Sequence, residues 1–215
     1  MEPFGLAVTC VVAAVAALAA ALSAEVLVPR YAPAVPYAAG RALQWTTAAA
    51  AAVLAALLAL RTGPTPALAA YVVLATGTAV LSRIDLHSKL LPNRISGFVF
   101  IAGLVLFSFA AILRGELSNL IRALAGASLL LILYVILRLI SPRSIGMGDV
   151  KLAPTVGLYS GYLGWNALGL AVLLGFLAGG AVSLALVLAG KAGRKAKVPF
   201  GPSMLAGTVL AILLG

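Results

Sequence analysis

Two aspartates carry most of the chemistry this chain can offer. Asp85 and Asp149 are its only aspartates, and with Glu2, Glu25 and Glu116 they make up all of its carboxylate side chains. Asp149 closes a Gly146-Met147-Gly148-Asp149 stretch that runs on through Val150 to Lys151. Two glycines ahead of a carboxylate let the backbone turn tightly and approach a substrate with no Cβ in the way. Two carboxyls that meet can activate a water: one takes its proton while the other, protonated, polarises the carbonyl under attack. Like charges in contact do not both ionise cheaply, so such a pair shares a proton and titrates as a unit.

The remaining inventory narrows the choice. Cys10 is the single cysteine and lies in an apolar run, which rules out an intrachain disulfide and argues against redox chemistry. His87 is the single histidine, so there is no histidine-rich zinc site and no His-Glu-x-x-His helix. A rhomboid-like serine protease would have only His87 as base, and no serine stands in a nucleophile context. Ser88 and Lys89 are adjacent, so on a helix they point apart and make no dyad. No metal or cofactor is expected. The plain alternative for the aspartates is neutralisation, Asp85 by Lys89 at i,i+4 and Asp149 by Lys151 or Arg143.

The elements that must hold these residues are membrane helices. The chain is 63% hydrophobic and 9% charged, with a mean hydropathy of +1.16, where ordinary soluble domains are nearer one quarter charged. Several apolar runs reach roughly 20 residues, enough to span hydrocarbon as helices. The expected fold is all-α, a polytopic integral membrane bundle of eight crossings, two of them short. The net charge of +10 belongs to loops that set topology and meet anionic lipid headgroups. Nucleic acid is not an expected partner, because no basic stretch is interleaved with aromatics.

Spans are expected at 4–28, 42–60, 67–84, 95–113, 119–140 and 202–214, with a proline-rich connector over 29–41. The run 152–189 is too long for one span, and loop charges divide it. If it crosses twice, one face holds twelve basic residues against three (Arg61, Arg114, Arg122) on the other; if once, the split is eight to seven. The positive-inside rule prefers two crossings, with the richer face and residues 83–94, 141–151 and 190–201 in the cytoplasm. Two spans separate Asp85 from Asp149, so both carboxylates return to that face, where helices three and five must converge. A transporter using the aspartates for a cation or a proton relay would instead place them near the bilayer midplane, away from basic loops.

Three ordered stretches resemble the type IV prepilin peptidases, membrane aspartic proteases with a Gly-x-Gly-Asp motif. They are Ile84-Asp85-Leu86 with Leu91-Pro92-Asn93; Gly146 to Leu152; and Val198-Pro199-Phe200-Gly201-Pro202. The resemblance is strongest over 65–215, within a single transmembrane peptidase domain of residues 1–215. It implies removal of a short basic leader from prepilin-like proteins at the cytoplasmic face of a prokaryotic membrane. Asp85 and Asp149 would be the catalytic pair, Gly146 and Gly148 a non-helical turn aiming Asp149, Lys151 a supporting neighbour, and Pro199 to Pro202 a wall of the site. Bifunctional members carry paired Cys-x-x-Cys motifs after the first span and also N-methylate the product. Residues 29–41 hold that place here without a cysteine, so a peptidase-only form is expected. Presenilins and signal peptide peptidases share Gly-x-Gly-Asp, but have Tyr-Asp at the first site and Pro-Ala-Leu near the C-terminus.

Overall fold

The computed structural model describes residues 3–31, 37–89, 91–142, 145–190 and 199–215, with side chains at all of these except 3–6, 24–31 and 37–43. Among the described residues there are eight helices: α1 (Pro3–Tyr31), α2 (Tyr37–Thr62), α3 (Leu68–Ser88), α4 (Asn93–Arg114), α5 (Leu117–Ile140), α6 (Met147–Leu163), α7 (Trp165–Leu188) and α8 (Gly201–Leu214). Five of them, α2 to α5 and α7, contain stretches long and apolar enough to cross a membrane, and α1 and α8 contribute shorter apolar stretches. The chain is a polytopic helical membrane protein. The basic cluster at 191–197, Arg143 and the 32–36 part of the proline-rich connector lie outside the described residues.

The 152–189 run resolves into two helices, as the loop charges require. Gly164, in extended backbone, ends α6 and opens α7. Short connections at 89–92, 115–116 and 164 join helices that pack on one another, so successive helices run antiparallel. The end of α3, the starts of α4 and α6, the end of α5 and the start of α8 therefore gather at one end of the bundle. The ends of α2, α4 and α6 gather at the other.

Small residues draw the helices together, since lipid supplies no hydrophobic drive between them. A Cβ at Gly157 of α6 would run into the carbonyl of Gly126 on α5, and one at Gly207 of α8 into the backbone of Gly175 on α7. Helix α6 is the centre of this packing. Between Asp149 and Tyr162 every residue is buried except Lys151 and Pro154, the mark of a helix enclosed on all sides. Its proline is tolerable because neighbouring helices can satisfy the freed backbone groups. An aromatic cluster locks α6 to α3 and α4. Phe107 stacks on Tyr162 at 4.1 Å between centroids and meets Tyr71 and Tyr159 edge-on at 5.3 and 5.2 Å.

The helices differ from expectation in one respect that touches the site. The sixth begins at Met147, not at 152, so Asp149 belongs to its first turn and not to a loop. The convergence expected of helices three and five is accordingly between α3 and α6. Those two are bridged by α4 and α8, each of which packs against both.

Candidate active site

Asp85 lies in the last turn of α3, with 4% of its surface exposed, and Asp149 in the first turn of α6, with 9%. Both are buried at the same end of the bundle, and the Asp85 carboxyl is within electrostatic reach of Asp149. Among the described residues neither is salt-bridged, either to Lys89 or to Lys151. Lys89 leaves the helix in the left-handed region at φ 52°, donating its backbone N–H to the Asp85 carbonyl at 2.8 Å. That exit takes its side chain off the i+4 position a salt bridge would need. Lys151 donates from Nζ to Asn93 Oδ1 at 2.9 Å instead of to Asp149. Arg114–Glu116, at the opposite end, is the only ion pair among the described residues.

The two carboxyls are held differently. Asp149 occupies the third helical position of α6, where Oδ2 accepts the Gly146 N–H at 3.0 Å. This is one half of a capping box, and it fixes the side chain against a helix start that also favours negative charge. Asp85 is less occupied. The backbone amide of Gly201, at the start of α8, lies close to its carboxyl, yet Oδ2 is buried and accepts no full hydrogen bond among the described residues. A buried carboxylate oxygen without a partner is costly, and cost of that kind gathers at functional sites.

The glycines act differently from the sequence expectation. Neither Gly146 nor Gly148 has positive φ; Gly146 is the extended N-cap and Gly148 is already helical. Both serve by lacking a side chain. A Cβ at Gly148 would fall 2.9 Å from Leu91 Cβ, and one at Gly146 would fall 3.0 Å from Asp149 Oδ2. Gly201 repeats the pattern, its absent Cβ being 2.9 Å from Asp85 Oδ2 and 3.0 Å from Leu91 Cδ1. Leu91 thus sits against both Gly148 and Gly201, joining the three sequence stretches at one point.

Of the Pro199-Phe200-Gly201-Pro202 stretch, Gly201 stands beside Asp85. Pro202 lies in the first turn of α8, where its missing N–H costs nothing. Phe200 packs where a Cβ on Gly179 of α7 would clash, and its ring lies 5.5 Å from Phe176. Phe176 in turn stacks on Tyr134 of α5 at 6.1 Å. Tyr134 is buried and within electrostatic reach of Asp149, and sequence reading passed over it. It continues the buried stripe Ala123, Gly126, Ala127, Leu130 along α5, a helical period visible in sequence. Asn93, which closes the Leu91-Pro92-Asn93 stretch, is the partner of Lys151. Arg138 donates to the Ile145 carbonyl at 2.6 Å and so holds the strand of chain entering Gly146. His87 is exposed, with Nδ1 2.9 Å from the Arg83 carbonyl, and takes no part.

Two buried carboxyls at one end of a membrane bundle, neither salt-bridged among the described residues, suit water activation better than charge neutralisation. Residues 71–184 match the family model described as the type IV leader peptidase family. The chain belongs to that family. Membership separates it from the presenilins and signal peptide peptidases. The Pro199 to Pro202 stretch lies beyond the matched residues, so its place at the site rests on geometry.

Relatives that match this chain carry the name prepilin leader peptidase/N-methyltransferase. That of Bacillus subtilis is 31% identical over 136 residues, 63% of this chain and 52% of that protein. That of Burkholderia pseudomallei is 33% identical over 155 residues, 71% and 48% of the two chains. That of Aeromonas hydrophila is 32% identical over 136 residues, 63% and 46%. The chain spans about half the length of these curated relatives. No solved structure matches it.

Proposed function

We propose that this protein is an aspartic endopeptidase that removes the short basic leader from type IV prepilin or prepilin-like precursors. The site lies at the cytoplasmic face of a prokaryotic cytoplasmic membrane, the face that the basic loops favour. Asp85 and Asp149 are the catalytic pair. The observation that carries this reading is the burial of both carboxyls at one bundle end, with Asp85 Oδ2 left unpartnered.

In the proposed reaction the ionised carboxyl takes a proton from water as the oxygen adds to the scissile carbonyl. The protonated partner gives its proton to the developing oxyanion. Collapse of the tetrahedral adduct breaks the C–N bond, and the proton gained from water passes to the leaving amine. Asp149, fixed by Gly146, supplies the rigid half; Asp85 has the free oxygen that can turn to water or substrate. Gly148, Gly201 and Leu91 set the spacing, and Lys151 with Asn93 ties the start of α6 to the start of α4. The relatives' names also include methyl transfer. It has no counterpart in this proposal, since residues 29–41 contain no cysteine.

Co-expression with a prepilin tests the proposal. The precursor should be converted to its shorter form by the unaltered chain, and Asp85→Asn and Asp149→Asn should each leave it uncut. Conversion by Asp85→Asn would return the aspartates to a structural role.

A further inference from the structure

The end of the bundle opposite the aspartates holds a second concentration of polar groups, which leader cleavage does not use. A cavity of about 290 Å³ opens there among the ends of α2, α4 and α6. Arg61, Arg114 and Arg122 line it with Glu116 as the sole carboxylate, and Thr62, Thr65, Asn119, Tyr71 and Tyr162 add further polar groups. These three arginines are the whole basic content that the loop charges assign to this face.

One explanation is that the arginines answer the negative ends of the helix dipoles, and it accounts for part of the arrangement. Arg122 donates from Nε to the Gly161 carbonyl at 2.8 Å and from Nη2 to the Tyr162 carbonyl at 2.6 Å, capping α6. Arg114 is held by Glu116 at 2.9 Å. Four groups are left over. Arg61 makes no hydrogen bond or ion pair among the described residues, and Nη1 of Arg122 is likewise uncommitted there. The hydroxyls of Tyr71 and Tyr162 are buried and without any hydrogen-bond partner among those residues. Tyr71 is 1% exposed and Tyr162 6%, so bulk water does not serve them. Buried hydroxyls are satisfied in the great majority of proteins. Here both stand in a cavity with an excess of two guanidinium charges over carboxylate.

We propose that this cavity binds a phosphoryl anion, with Arg61 and Arg122 Nη1 donating to its oxygens and the Tyr71 and Tyr162 hydroxyls completing the shell. Guanidinium groups match phosphate oxygens in geometry as well as charge. The cavity lies at the small end of the range for ligand sites, which suits a phosphate with a short polar head. Its level at the helix ends sets it at the membrane surface, where phosphodiester headgroups are the abundant phosphoryl anions. Free phosphate offers the same chemistry, and the test separates the two sources.

The full chain is purified into phosphatidylcholine nanodiscs, and its melting midpoint is followed with added phosphatidylglycerol and, separately, with inorganic phosphate at matched ionic strength. Occupancy at about 100 times Kd should raise the midpoint on the order of 5 °C. Stabilisation by phosphatidylglycerol alone makes the occupant a lipid headgroup, and stabilisation by both probes makes it a site for the phosphoryl group itself. Arg61→Gln and Tyr71→Phe each remove one cavity group and no described contact, and each should diminish the shift. Retention of phosphatidylglycerol over phosphatidylcholine in native mass spectrometry of the unaltered chain reads the same site without a variant. A midpoint indifferent to both probes, or a shift undiminished in either variant, overturns the proposal.

Discussion

Gly201→Ala gives the sharpest measure of how the site is spaced. The added methyl would lie 2.9 Å from Asp85 Oδ2 and 3.0 and 3.2 Å from the two Leu91 methyls, where ordinary contact begins near 3.4 Å. Something must move by about half an ångström. Leu91 has little freedom to yield, because its Cβ already lies where a side chain on Gly148 would clash. The Asp85 carboxyl is therefore the group that shifts. Overpacking of this kind costs about 1–3 kcal/mol, and the helical preference of alanine over glycine returns up to about 1 kcal/mol. Stability should fall modestly. Activity should fall further, since a 1 Å misplacement at a reacting centre can cost about 100-fold, and half of it about 10-fold. The assay is the rate of leader removal from a prepilin in solubilised membranes, normalised to folded enzyme. Gly180→Ala on α7, with open space around its absent Cβ, is the control and should cleave as the unaltered chain does. Cleavage by Gly201→Ala at the unaltered rate would refute the claim that Gly201 sets the position of Asp85.

The aspartates themselves should be all-or-none: Asp85→Asn and Asp149→Asn each lower cleavage on the order of 10⁴-fold or more, and the double variant is scarcely worse. Asp149→Asn should melt within about 1 kcal/mol of the unaltered chain, because an amide oxygen still accepts the Gly146 N–H, and Glu25→Gln and Glu116→Gln should remain active. In a Cys10→Ala background, Ser88→Cys should resist a membrane-impermeant thiol reagent in whole cells while Ser118→Cys, at the other end, is labelled; the reverse pattern would invert the topology. Lys151→Met breaks an exposed 2.9 Å hydrogen bond to Asn93, so stability should fall by less than about 1 kcal/mol. Asn93→Ala should lower the melting midpoint to the same extent, and the double variant no more than either, as a shared contact requires.

Much of this arrangement was legible in the residues. Apolar runs of spanning length, interrupted by proline, glycine or charge, located the helices to within a few residues. Charge asymmetry between loops divided the long 152–189 run where periodicity alone did not. An even number of spans between Asp85 and Asp149 was enough to return them to one end. These inferences succeed because they rest on the bilayer, which imposes length and sidedness without reference to any neighbouring side chain.

What was not legible depends on neighbours. The first helical residue of α6 was placed too late because Gly-Met-Gly reads as a breaker, while the Asp149 carboxylate caps the backbone and lets the helix begin at Met147. A glycine can be demanded by a positive φ or by a close approach, and sequence does not distinguish the two. Gly115 is of the first kind, with φ 67° at the end of α4. Gly146, Gly148 and Gly201 are of the second, each facing Leu91, an aspartate oxygen or both. The same reasoning applies to the cations. Spacing alone offered Lys89 and Lys151 as partners for the aspartates, but a left-handed exit from α3 and an amide on α4 take both away. With those lysines turned elsewhere, and with Arg138 spent on the Ile145 carbonyl, both carboxyls stand buried without an ion pair among the described residues, the condition that the proposed dyad requires.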